Sequence, residues 1–127
     1  MEVIKKVDPA RFSISISREL SMSTVEHRAG PPRVAEGLTV GIAEMTRDPP
    51  HNGELHPDGD ELLYLVEGTV DVVLDIEDGE RRFSLKPREA FVVPRGTWHR
   101  VVVKEPCRLL YFTPGHNRVR WKHPEKD

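Results

Sequence analysis

The sequence predicts an all-β protein, an antiparallel sandwich or barrel. Apolar residues recur with a period of two through most of the 127 residues, no long segment keeps them at helical spacing, and short runs alternate with turn-forming clusters. A chain of this length holds one hydrophobic core. Residues 1–127 are therefore read as a single domain, with N-terminal strands and a loop over 1–48, a barrel core over 49–113 and a tail over 114–127.

Asp8-Pro9-Ala10 allows one turn of helix, since proline favours the first helical position. Phe12, Ile14 and Ile16 alternate with serines in a first strand, and Leu38, Val40 and Ile42 alternate in a second that follows Gly37. The polar stretch between them contains Arg28-Ala-Gly-Pro-Pro32 and reads as a loop. Further strands are expected over 62–66, 69–76, 82–85, 90–93, 98–103 and 108–113. Turns separate them at Glu67-Gly68, Glu77-Asp-Gly79, Lys86-Pro87, Pro94-Arg-Gly96 and Lys104-Glu-Pro106. In the tail, Arg118, Arg120 and Lys122 share one parity and Val119 and Trp121 the other, the pattern of a last edge strand.

Leu62-Leu-Tyr-Leu-Val66 and Val101-Val-Val103 are apolar on both parities, so both faces must be covered. With Glu61, Leu63 and Leu65 facing inward, Leu62, Tyr64 and Val66 pack under a second layer. That layer is either a second subunit or the chain's own N-terminal strands, and a homodimer is the expectation. Trp98 and Arg100 fall on the outward parity, and Arg81-Arg82 reads as a solvated edge.

A net charge of −2 gives no broad attraction to nucleic acid or to an anionic membrane, and points to a small-molecule ligand. Cys107 is the only cysteine, which excludes an internal disulfide and a cysteine-based zinc module. With no secretory leader pattern and no apolar run of membrane-spanning length, a cytoplasmic protein is expected. Dinucleotide, phosphate-loop and serine-hydrolase motifs do not occur.

The chemistry gathers at four residues. In a strand, Glu54 and His56 project to the same side, whereas His51 is an odd number of residues from His56 and Pro49, Pro50 and Gly53 interrupt the strand geometry, so Glu54 takes that direction. Pro57-Asp58-Gly59-Asp60 turns the chain so that Glu61 points back at the same spot, with Asp60 toward the turn or solvent. His99 opens a later strand, on the same face as Val101 and Val103. Glu54, His56, Glu61 and His99 together suit a divalent ion of Fe, Mn, Zn, Ni or Co. The same four residues can also form a metal-free network of carboxylates and protonated imidazoles. Tyr111 shares a face with Cys107 and Leu109, whereas His27, His116 and His123 have no partner at ligand spacing.

The run from His56 through Glu61 to Gly68 resembles the first cupin motif, His-x-His-(x)3-4-Glu-(x)6-Gly, with Glu54 at the first histidine position. Pro94-Arg-Gly-Thr-Trp-His99 resembles the core of the second motif. The resemblance implies an antiparallel jelly-roll barrel, frequent dimerisation, and a metal at the barrel mouth held by His56, Glu61 and His99. Three positions depart from the pattern: Glu54, Arg88 where the second motif has glycine, and Val103 where it ends in asparagine. Arg88 bears on backbone strain, whereas Glu54 reaches the chemistry, as a fourth ligand or as a catalytic base. The implied function is a metal-dependent dioxygenase, isomerase or lyase acting on a small oxygenated compound. The competing reading is a non-catalytic ligand-binding or accessory cupin.

Overall fold

The computed structural model describes residues 5–27 and 36–121. Arg28-Ala-Gly-Pro-Pro32, read above as a loop, and Lys122 and His123 lie outside them. The described residues form nine strands: β1 (Phe12–Ile16), β2 (Met22–Glu26), β3 (Leu38–Met45), β4 (His51–Leu55), β5 (Glu61–Ile76), β6 (Gly79–Leu85), β7 (Ala90–Val93), β8 (His99–Pro114) and β9 (Arg118–Trp121). Every pairing is antiparallel. Among these residues no helix is long and apolar enough to cross a membrane. Asp8 closes one turn, its carbonyl accepting from the Arg11 and Phe12 amides and its carboxylate from the Ala10 amide.

The strands make an antiparallel jelly roll of two sheets that share β5 and β8. One sheet runs β2-β1-β3, then the second half of β8, the first half of β5, and β7. The other runs β9-β4, then the first half of β8, the second half of β5, and β6. One core joins them: Leu63, Leu65, Val93 and Leu109 from the first sheet meet Val70, Val72, Leu74 and Leu85 from the second.

The turns expected at Glu67-Gly68 and Lys104-Glu-Pro106 are instead bends inside continuous strands. The β5–β8 register slips three times between Leu65 and Val70, and the slips add one residue to β8. Parity along β5 therefore changes, so that odd residues Leu63 and Leu65 and even residues Val70 and Val72 all face the same core. Gly68 permits the bend. Its φ is +89°, and a Cβ there would sit 2.2 Å from the Pro106 carbonyl oxygen and 2.6 Å from Cys107 Cα.

One further difference from the sequence reading has a local cause. Met22–Glu26 forms a strand within the stretch assigned to the loop, because its backbone pairs with β1 although its side chains are mostly polar or exposed. The turn around Arg88 keeps the left-handed conformation that favours glycine: Arg88 has φ +74° and donates its amide to the Leu65 carbonyl at 2.7 Å. Such a residue stores about 1 kcal/mol. The expected hairpin at Glu77-Asp78 is a two-residue turn with both residues at positive φ.

The outer faces of the two sheets differ. In the first sheet, Val92, Leu62, Phe112, Val40 and Ile14 stand in one cross-strand row, and Tyr64, Leu110 and Ile42 in the next. Val66 and Val92 on this face are exposed, as is Met22 at its edge. In the second sheet the outer face carries charges. Val73 is fully buried between Arg82 and Arg100, Arg120 stacks on Trp98 at 4.5 Å, and Arg100 pairs with Glu80 at 2.9 Å. Replacing Gly68 by Ala is expected to cost at least about 2 kcal/mol, from strain at positive φ and contact with β8. It should lower the urea midpoint at unchanged slope. Gly79→Ala, with open space around it, should leave the midpoint near wild type.

Candidate metal centre

The β4–β5 turn and the turn before β8 are tied together. The Gly96 amide donates to the His56 carbonyl at 2.9 Å, and the Arg95 amide donates to Asp60 Oδ1 at 2.8 Å. These bonds set His56 against the start of β8, where His99 emerges. Asp60 thus serves the turn, as its parity suggests.

His56, Glu61 and His99 are brought together, with one ligand atom from each lying within 4.8 Å of the others. All three are buried, at 2%, 7% and 5% exposure. Glu61 Oε1 lies 2.9 Å from His99 Nε2, and Glu61 Oε2 accepts the Thr113 hydroxyl at 2.5 Å. The Thr97 carbonyl sits 3.0 Å from His99 Nδ1, which fixes a proton there and aims Nε2 at the cluster. His56 Nε2 lies 3.4 Å from Glu61 Oε2, yet neither of its ring nitrogens has a hydrogen-bond partner among the described residues. A buried imidazole with two unsatisfied nitrogens is costly unless something else engages it. A divalent ion suits these donors in chemical type, since two imidazoles and one carboxylate supply nitrogen and oxygen and no sulfur.

Burial alone would raise the Glu61 pKa. The close approach of His56, the hydrogen bond with His99 and the charges of both rings reverse this and bring it from its usual 4.5 to about 2. For His99 burial pushes downward, but the Glu61 hydrogen bond and charge, with the Thr97 carbonyl and the Glu54 charge, leave its pKa above the usual 6.5. Burial pushes the Tyr111 hydroxyl up, and the charges of Glu54 and Glu61 add to it.

Glu54 stands next to the triad. It is the cross-strand neighbour of His99, and its Oε2 lies 4.0 Å from His56 Nε2. Its Oε1 faces His51 Nε2 at 2.8 Å. His51 stays outside the triad but shares a side with Glu54, because the β4–β9 pairing slips between His51 and Glu54 and Gly53 adopts φ +132°. A glycine inside so short a strand was the available signal of a bulge. Sequence reasoning also missed Thr113, although it ends the run that carries Cys107, Leu109 and Tyr111 on one parity. His116 pairs with Asp58 at the surface, away from this cluster.

A cavity of about 1000 Å³ opens in front of Glu61 and His99, reaching across β3 to Ser13 and Ser15 of β1. Tyr111 lines it, and the room for its hydroxyl comes from Gly41 on the neighbouring strand, where a Cβ would lie 2.4 Å from that oxygen. His56 lies behind Glu61 and does not line the cavity.

An antiparallel jelly roll with a His-Glu-His cluster at one end of the sandwich defines a protein of the cupin class. The chain belongs to the cupin family: the family profile described as "Cupin domain" matches residues 43–113. A cupin-2 domain containing protein from Shewanella frigidimarina NCIMB 400 has a similar fold, at 22% identity and a TM-score of 0.53, with 71% of this chain and 84% of that chain covered. So does BH2720 from Bacillus halodurans, at 24% identity and 0.52, with 66% and 70% covered. The Lactobacillus farciminis oxalate decarboxylase in its formate complex matches at 18% identity and 0.55, over 68% of this chain but only 27% of its own. These likenesses concern the fold. No curated protein matches the chain.

Glu61 and His99 set a pH window for the metal-free chain. Glu61 contributes stability that is complete above about 4.5 and is lost as pH falls toward about 2. His99 contributes stability that is complete below about 6.5 and is lost as pH rises through its raised folded value. With a chelator present, the urea midpoint is expected to be highest between these limits and to fall on both sides. A midpoint that stays flat from neutral into alkaline pH would contradict the Glu61–His99 pairing.

Proposed function

We propose that the chain binds one divalent ion, of Fe, Mn, Zn, Ni or Co, through His56, Glu61 and His99, and acts on a small oxygen-rich metabolite. The observation that carries this reading is His56, buried at 2% exposure with both nitrogens unpartnered while facing a carboxylate and a second imidazole. An ion there supplies Lewis acidity toward a ligand oxygen. Glu54 is the remaining carboxylate, a candidate fourth ligand or a base that accepts a proton from the ligand. Two imidazoles and two carboxylates leave a divalent site formally neutral, so it exerts little pull on anions. The hydroxyls of Ser13, Ser15 and Tyr111 suit a neutral, oxygen-bearing molecule instead. Dioxygenase, isomerase and lyase chemistry all fit a metal with an adjacent carboxylate.

A second reading, a non-catalytic accessory or ligand-binding cupin, is favoured by the Glu61–His99–Thr113 contacts, which already satisfy the carboxylate without an ion. Metal analysis of protein purified without added metal separates the two. About one ion per chain is expected, falling at least about tenfold in His56→Ala and His99→Ala. Equally low metal in all three proteins supports the accessory reading and removes the enzymatic one.

The apolar outer face of the first sheet supports a homodimer, with a second copy covering Leu62, Tyr64, Val92 and Phe112. Burial raises the Cys107 thiol pKa despite the Met45 backbone hydrogen bond, so this lone cysteine is inert and suits a reducing cytoplasm. Light scattering at micromolar concentration is expected to give twice the 14.5 kDa chain mass, and Val92→Lys to give the chain mass. A monomeric wild type rejects the dimer.

A further inference from the structure

His51 and Glu54 are three residues apart, and a regular strand would turn them to opposite faces. The bulge at Asn52-Gly53 brings them together instead, with side chains only 8% and 17% exposed. Gly53 cannot be exchanged without disturbance, since a Cβ there would lie 2.8 Å from the Arg120 guanidinium and 3.2 Å from the His99 carbonyl oxygen. Its amide donates to His51 Nδ1 at 3.1 Å. A neutral ring that accepts at Nδ1 carries its proton on Nε2, the atom 2.8 Å from Glu54 Oε1. Trp121 packs edge-on against the same ring at 6.3 Å and 80°, which holds its tilt.

Glu54 therefore has one oxygen committed to His51 and the other turned toward His56. To join the ion as a ligand it would have to give up this 2.8 Å imidazole–carboxylate contact in a partly desolvated place. We infer that His51 is a positioning residue that holds Glu54 beside the His56–Glu61–His99 set rather than within it. One coordination position is thereby kept open for an oxygen-bearing ligand, and Glu54 Oε2 faces that ligand. The inference rests on the metal-binding reading above and decides which of the two roles proposed there Glu54 takes.

Co(II) titration of the metal-free protein, followed by visible absorption, tests this, because band position and intensity report the ligand set independently of any activity. Glu54→Gln alone is expected to leave Co(II) affinity within about twofold of wild type, since Glu54 is not a ligand. His51→Leu frees the carboxylate, so the spectrum should change and affinity rise about tenfold. The double variant His51→Leu/Glu54→Gln should return to the wild-type spectrum and affinity, and His51→Gln, which keeps an N–H donor, should resemble wild type throughout. A tenfold loss of affinity in Glu54→Gln, or an unchanged spectrum in a folded His51→Leu, overturns the inference while leaving the triad intact. Failure of the wild-type chain to bind Co(II) overturns the metal reading and this inference with it.

Discussion

The buried charge of Glu61 is the constraint around which the rest is arranged. A carboxylate at 7% exposure above Leu63 and Leu65 is tolerable only if its oxygens are engaged. His99 engages one and Thr113 the other, and both come from β8. In a straight strand those residues would be about 45 Å apart. Their meeting at one carboxylate requires β8 to run from the mouth of the sandwich to the far end and return. That reversal is the bend at Lys104–Pro106, against which Gly68 of β5 is pressed. The electrostatics of the site and the two-sheet architecture are in this sense one requirement.

Because the same residues satisfy a buried charge and form the candidate ligand set, their substitution acts on stability as well as on binding. Removing one partner of a buried ion pair costs about 3–5 kcal/mol in typical cases, since the other charge is left stranded. Glu61 is the worst placed for truncation, with three partners facing it. His56 is the best placed, because it gives up no hydrogen bond. An ion at the cluster would relieve His56 and take over the proton's role on His99, so binding and folding are coupled there.

Much of this was legible in the sequence, and the failures have physical reasons. Period two located β1, β3, β7 and most of β5, β6 and β8, and parity placed Glu61, Leu63 and Leu65 on the inner face. Turn chemistry and strand starts predict the meeting of Glu54, His56, Glu61 and His99, of which the structure gathers the last three and sets Glu54 beside them. Turn residues at Glu67-Gly68 and Lys104-Glu-Pro106 mark interruptions, but a local pattern does not distinguish a reversal between strands from a bulged bend within one. That distinction depends on what lies across the bend, here Gly68 against Pro106. Parity fails wherever a bulge inserts a residue. The β5 slip changes which parity faces the core, and the β4 slip turns His51 inward.

The β4 bulge also changes what the substitution at the first motif position means. Counting along the strand, a carboxylate stands where the family pattern has an imidazole, which reads as a lost nitrogen ligand and a softer donor traded for a harder one. In space the third imidazole is still present, one layer back: His51 faces Glu54, and Glu54 faces His56. His51, Glu54 and the triad form a chain of contacts in which each carboxylate lies between imidazoles. Such a chain fixes ring tautomers and carboxylate orientation together. The departure at Glu54 is therefore best understood with Gly53 and His51 as a unit, since the carboxylate without the bulge would have no partner to hold it in place.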